Sequence, residues 1–273
     1  MNSGEKFRQT LPESRRVVIK IGSRVIVRKS GRPDIAKIRR LVEQICKIER
    51  SGYEVVIVSS GAIAAGMEAL NIDKRPESVP DLQMCAAVGQ GRLMACYSEL
   101  FGKEKIIVGQ MLLTHDDFTR KIRLTNMRRT MDHMLRAQVI PIINENDAVA
   151  DEEVKADMSL GDNDNLASLV VRQIRADLLI LLSTVDGLRA HTENGRSHRV
   201  PYVEAVNKAI QKLVQPPVAG GVSKGGMDSK LRAAAACMKA GCNVVIADGT
   251  KKDVLTQIIS GKDVGTLFIA SPV

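Results

Sequence analysis

The chain has 273 residues, which allows one large domain or two modest ones and a core that needs no disulfide or metal staple. Its net charge is +9, but residues 1–50 hold 14 Lys and Arg against 5 acids and the other 223 residues are neutral, with 26 of each. That local surplus, with aromatics at 3% and no Trp, excludes the aromatic platforms of base-stacking nucleic-acid modules, and a hydrophobic content of 44% excludes a disordered chain.

In chain order, residues 1–15 read as a polar tail without the apolar stretch of a secretory signal. Short apolar runs follow at 17–21, 55–59, 106–113, 139–143, 178–182 and 244–247. They are rich in Val, Ile and Leu, as strands buried on both faces are. Helical patterns separate them at 35–50, 82–101, 125–137, 166–176 and 230–240. The polar stretch 186–201 reads as a hairpin and 264–268 as an edge strand. Strand alternating with helix predicts an α/β fold with a parallel sheet and helices on both faces. No apolar run reaches the roughly 18–20 residues of a membrane span. The five cysteines include no C-x-x-C pair and read as buried hydrophobes of a reducing cytosol. A soluble cytoplasmic protein is expected.

Ligands of such sheets sit beyond the carboxyl ends of the strands, so the strand ends carry the functional reading. Lys20 lies inside an apolar strand; a nearby anion such as phosphate would explain it, and so would a lysine that snorkels. The run 59–66, Ser-Ser-Gly-Ala-Ile-Ala-Ala-Gly, is a small-residue turn into a helix whose first N–H groups suit an anion, or an ordinary capped turn. Asn-Glu-Asn-Asp (144–147) and Gly-Asp-Asn-Asp-Asn (161–165) are turn formers, yet two such clusters after one strand can bind an ammonium or orient lysines. The loop 219–230 has four glycines, two lysines and a following helix, a plausible phosphate cradle, although it is not a Walker A loop. Gly89-Gln90-Gly91 is no dinucleotide fingerprint, because Met94 stands at the third glycine position. His115, His133, His191 and His198 show no metal-binding spacing, and no metal-ligating residue is assigned.

Lys20 and Lys230, from opposite ends of the chain, are equipment for phosphoryl transfer, which needs positioning and charge neutralisation more than covalent help. A carboxylate acceptor, with a reference pKa of about 4.3, is already ionised and needs no general base.

The segments 17–23, 59–66, 87–92, 109–114, 143–149, 161–166 and 225–230 occur in the order of the amino acid kinase family, which the sequence resembles over about 17–268. The pairing of 143–149 with 161–165 is similar to the branch of that family that acts on free glutamate. The resemblance implies a three-layer αβα sandwich with a mostly parallel central sheet, spanning 16–270, with an amino-acid-binding lobe at about 16–176 and a nucleotide-binding lobe at about 177–270. It implies that Lys20 and Lys230 stabilise the moving phosphoryl group and that Asp164 organises them. Ser60, Asp147 and Asn163 would bind L-glutamate, Asp147 as counter-ion of the α-amino group. Lys20, Ser183, Thr184, Lys224, Gly225, Gly226, Met227, Asp228, Ser229 and Lys230 would bind the nucleotide. ATP with Mg²⁺, an acyl phosphate product that feeds proline synthesis, inhibition by proline, and dimers or tetramers with 112–129 as a contact region are further implications. No nucleic-acid or membrane partner is expected.

Three departures from the family pattern stand out. Lys155 lies six residues before Gly161 rather than two, Ser183-Thr184 replaces the usual Thr-Asp, and the appended PUA-type domain of many bacterial members is not expected here. Two alternatives remain. One is another acceptor, such as acetylglutamate, aspartate, carbamate or a nucleoside monophosphate; Asp147 argues against acetylglutamate, since an acetylated amine carries no charge, and competition between substrates decides among the others. The other is a non-catalytic nucleic-acid binder, against which the scattered placement of the basic residues argues.

Overall fold

The computed structural model describes residues 3–28, 30–149, 163–191, 196–214 and 226–271. Its strands are β1 (Arg16–Ile21), β2 (Glu54–Val58), β3 (Ile107–Leu113), β4 (Val139–Glu145), β5 (Leu178–Ser183), β6 (Arg189–His191), β7 (Ser197–Arg199), β8 (Tyr202–Val203), β9 (Asn243–Asp248) and β10 (Thr266–Phe268). Among the described helices are α1 (Ser3–Thr10), α2 (Ser23–Ile26), α3 (Ile35–Arg50), α4 (Ala62–Ala69), α5 (Val79–Lys103), α6 (His115–Thr119), α7 (Lys121–Arg136), α8 (Asn163–Ile174), α9 (Lys208–Lys212), α10 (Met227–Lys239) and α11 (Val254–Ile259). Helix starts follow local chemistry. The Asp34 side chain accepts from Lys37 N at the start of α3, and Ser78 does the same for Asp81 N at the start of α5.

Eight strands form one sheet in the order β3-β4-β2-β1-β5-β9-β10-β8, and β6 with β7 forms the expected hairpin. The six strands from β3 to β9 are parallel. Alternation along each strand divides the core into two layers. Val17, Ile19 and Ile21 of β1 pack with α3, α5 and α11 on one face. Val18, with Val56, Val58, Leu179 and Leu181, packs with α7, α8 and α10 on the other. The three-layer sandwich read from the sequence is the architecture observed. Four of the cysteines are buried and Cys96 is half-buried, all of them free. Among the described residues, no helix is long and apolar enough to cross a membrane.

Two elements differ from expectation. The strand at 264–268 is not an edge: β10 runs antiparallel to β9 and parallel to β8, which takes the edge instead. Thr266, Leu267 and Phe268 are fully buried, and a buried strand needs hydrogen-bond partners on both sides; the two-residue β8 that supplies one side has no apolar run to mark it. Residues 3–13 are not a loose tail but α1 followed by a 3₁₀ turn (Leu11–Glu13) with Leu11 fully buried. Arg8 fixes this segment to the sheet edge. Its guanidinium, 3% exposed, donates to the carbonyls of Lys262 (3.2 Å), Val264 (3.0 Å), Pro201 (2.8 Å) and Gly265 (2.9 Å) and pairs with Asp263 at 3.0 Å. Burial lowers the pKa of Arg8, and Asp263 opposes that shift.

Arg8→Met takes one donor from each of four carbonyls, of which those of Lys262, Pro201 and Gly265 keep Val264 N, Leu267 N and Arg199, and it strips Asp263 of a partner; an acceptor left bare of both donor and water costs roughly 1–3 kcal/mol. The variant is expected to lose about 2–3 kcal/mol, read as a lower urea midpoint at unchanged m.

Candidate active site

In the sheet order, β1 is where the chain turns from one half of the sheet to the other, with β2 on one side and β5 on the other. A crevice opens beyond the carboxyl ends of strands at such a switch point. Lys20 is the penultimate residue of β1, in register with Val58 of β2 and Leu181 of β5. Its parity with Val18 directs it to the face that carries α8 and α10. There Lys20 Nζ donates to Asp164 Oδ1 at 2.6 Å, Lys230 Nζ donates to Asp164 Oδ2 at 2.9 Å, and Ser229 Oγ donates to Asp164 Oδ2 at 3.0 Å. Lys20, Asp164 and Lys230 are 6%, 0% and 5% exposed. Burial alone would push the Asp164 carboxyl up; the two lysines outweigh it and hold the group below its ordinary value. Its place in the first turn of α8 also suits a negative charge. Among the described residues, two cations share this one anion, an arrangement that favours an incoming anion.

Beside this centre lies a cavity of about 370 Å³ lined in part by Arg24, Ser60, Arg75, Asn144, Asp147 and Asn163. Its inner wall is a chain of amides. Asn144 Nδ2 donates to Gln90 Oε1 at 2.8 Å, and Asn163 Nδ2 donates to Asn144 Oδ1 at 3.0 Å and to the Ser59 carbonyl at 2.5 Å. Ser60 Oγ donates to the Ile21 carbonyl at 2.8 Å, which ties the end of β2 to the end of β1. Among the described residues, Asn163 Oδ1 and Gln90 Nε2 are buried without a partner; an unpaired buried acceptor at a cavity wall is what a bound donor would satisfy. Gly61, with φ 96°, makes the left-handed turn into α4. A Cβ on Gly89 of α5 would collide with the Ala62 carbonyl, so this glycine lets α5 press against the start of α4 and brings Gln90 to the amide chain.

The expected nucleotide residues are placed unevenly. Ser183 ends β5, half-buried, and Thr184 follows it, exposed. Gly226 caps α10, and Met227, Asp228, Ser229 and Lys230 form its first turn. Asp228 pairs with Arg232 at 2.6 Å on the exposed side, whereas Ser229 turns inward to Asp164. Lys224, Gly225, Lys155 and Gly161 lie outside the described residues. The sequence reading missed Gln90, whose signal is a polar residue on the buried side of α5 among apolar neighbours, and the hydroxyl pair Ser59–Tyr97, 3.1 Å apart. Nothing in the sequence marks that pair.

Asp164→Asn removes the anion between two buried ammonium groups and is expected to destabilise the fold by roughly 3–5 kcal/mol in urea unfolding. Because the folded carboxyl titrates below its ordinary value of 3.8, its contribution is full above that pH and is lost as pH falls through the depressed folded value. The parent's stability should therefore fall more steeply than the variant's in that acid range.

Residues 15–248 match the amino acid kinase family. The chain is 41% identical over 272 residues to a glutamate 5-kinase of Clostridium acetobutylicum, covering 98% of each chain. It is also 41% identical over 267 residues to a glutamate 5-kinase of Syntrophus aciditrophicus, covering 97% of this chain and 68% of that one. In three dimensions it resembles a carbamate kinase from Giardia lamblia bound to AMP-PNP (TM-score 0.65, 16% identity, 94% of this chain and 99% of that one). A UMP kinase from Ureaplasma parvum is similar too (TM-score 0.62, 14% identity, 94% and 99%). At those identities the two structures speak for the fold alone.

Proposed function

The chain belongs to the amino acid kinase family, and on that premise we propose that it transfers the γ-phosphoryl group of ATP to the γ-carboxylate of L-glutamate. The products are L-glutamyl 5-phosphate and ADP, and the reaction is the first step of proline biosynthesis. The observation that carries the reading is the Asp164 carboxylate held between Lys20 and Lys230, with the adjacent Asn163 lining a cavity whose wall also carries Asp147. Near-full-length identity with named glutamate 5-kinases supports the choice of acceptor.

In this scheme a γ-carboxylate oxygen attacks the γ-phosphorus, the bond from that phosphorus to the β–γ bridging oxygen breaks, and ADP departs with the electron pair. No proton moves, so no base is needed. Lys20 and Lys230 offset the charge spread over the phosphoryl oxygens, and Asp164 keeps both ammonium groups in place. Asn163 and Ser60 hold the acceptor, and Asp147 pairs with its α-ammonium. Ser183, Thr184 and residues 224–230 receive the nucleotide. The halves of the sheet on either side of β1 correspond to the acceptor lobe (16–176) and the nucleotide lobe (177–270).

Among the described residues, no three His, Cys, Asp or Glu side chains gather as a metal cage. Magnesium commonly binds through substrate phosphates with few protein ligands; carried on the nucleotide's phosphates, it would neutralise phosphate charge. A cytoplasmic, homo-oligomeric enzyme is part of the reading, with proline as a feedback inhibitor. The open sheet edge at β3 and the exposed Ile122 of α7 support 112–129 as the contact between subunits.

A coupled ADP-release assay with ATP, Mg²⁺ and L-glutamate tests the proposal. Glutamate-dependent turnover is expected, with acetylglutamate, aspartate, carbamate and UMP poor competitors; no glutamate-dependent ADP release would overturn it. Lys20→Ala and Lys230→Ala should each lower kcat by about 10²–10³, because they meet charge that develops in the transition state. Asp147→Asn should raise the glutamate KM about tenfold with kcat little changed, the mark of binding equal in both states.

A further inference from the structure

The acceptor cavity holds more charge than the ammonium contact requires. Its wall carries Arg24, Arg75, Asp73 and Asp147, two guanidinium groups and two carboxylates, which is the complement of a zwitterionic head group. Glutamate, the proposed acceptor, brings three charged groups. The γ-carboxylate must face Lys20 and Lys230, and the ammonium faces Asp147. The α-carboxylate remains, and burying it against the cavity wall without a cation or N–H donor would be costly. Lys20 and Lys230 are not available for it, because both are buried on Asp164 at the reacting end. Among the described residues, the cations on the cavity wall are Arg24, in α2 just after β1, and Arg75, in the segment between α4 and α5. Both are exposed, as side chains at the mouth of a site are. Neither lies in the segments that carry the family resemblance, so no position matched by sequence assigns them a role.

We propose that Arg24 and Arg75 form the subsite for the α-carboxylate of the acceptor and select a free amino acid over one whose α-carboxyl is blocked, a role that rests on glutamate being the acceptor. The guanidinium fork matches a carboxylate in a bidentate manner that an ammonium cannot. The two arginines belong to different walls, α2 and the turn after α4, so together they fix the head group while the γ-carboxylate reaches the lysines. The contact is remote from the bonds that change. It is made equally in the ground and transition states, and its loss falls on KM rather than kcat.

The test is steady-state ADP release by the parent, Arg24→Gln, Arg75→Gln and the double variant. Two acceptors are used: L-glutamate and L-isoglutamine, which keeps the ammonium and the γ-carboxylate but carries an α-amide. The parent is expected to prefer glutamate. Each single variant should raise the glutamate KM about tenfold and the double variant further, with kcat and the ATP KM unchanged. The isoglutamine KM should move less than about twofold, so that the preference collapses. An active parent whose variants keep both the glutamate KM and the preference overturns the subsite alone. A parent with no glutamate-dependent ADP release overturns the glutamate reading and the subsite with it.

Discussion

Two ammonium groups cannot share a dry site unless an anion stands between them, and in this protein that anion is Asp164. It is fully enclosed, and each of its oxygens takes one lysine. Desolvation works against all three charges, and the arrangement holds because both lysines are at hydrogen-bond distance. The demand on the fold is severe. β1, α8 and α10 come from the beginning, middle and end of the chain, and each must deliver its residue to the same point. Their registration rests on one core layer, in which Val18 of β1, Leu166 and Val170 of α8 and Leu231 and Ala234 of α10 are buried together.

The start of α8 joins that centre to the neighbouring cavity. Asn163 and Asp164 are consecutive, and neighbouring residues of a helix point about 100° apart. Asp164 therefore turns to the lysines while Asn163 turns to the ends of β2 and β4, where it meets the Ser59 carbonyl and Asn144. One turn of helix thus sets the distance between the lysine–carboxylate centre and the amide chain. The amide chain through Asn144 to Gln90 extends that control across the sheet to α5 on the opposite face, and the close approach at Gly89 keeps α5 near enough to take part.

Some of this is legible from residues alone. Lys20 stands out because a charged side chain interrupts an apolar run, and that incongruity survives in the structure as a buried ion pair. The helix at 35–50 is readable from its apolar spacing, and the structure adds its cap, the Asp34 side chain accepting from Lys37 N. Arg8 is not legible. In sequence it is one more basic residue in a polar stretch, and only the carbonyls of 201 and 262–265, far along the chain, make it a clamp. Gln90 is masked because its neighbouring glycines invite comparison with a nucleotide fingerprint, whereas Gly89 serves helix packing.

The sequence by itself determined the layers, because strand and helix periodicities are local and each apolar run reports its own burial. It also singled out the polar strand ends at which Lys20, Ser60 and Asn144 stand. Only the tertiary structure decided which residues meet: that Asp164 lies between Lys20 and Lys230, that Arg8 closes the sheet edge, and that β10 lies inside the sheet rather than at its edge. The reason is physical. Pairings between groups 66 to 257 residues apart are set by strand order and by how two core layers pack, and neither leaves a period in the chain.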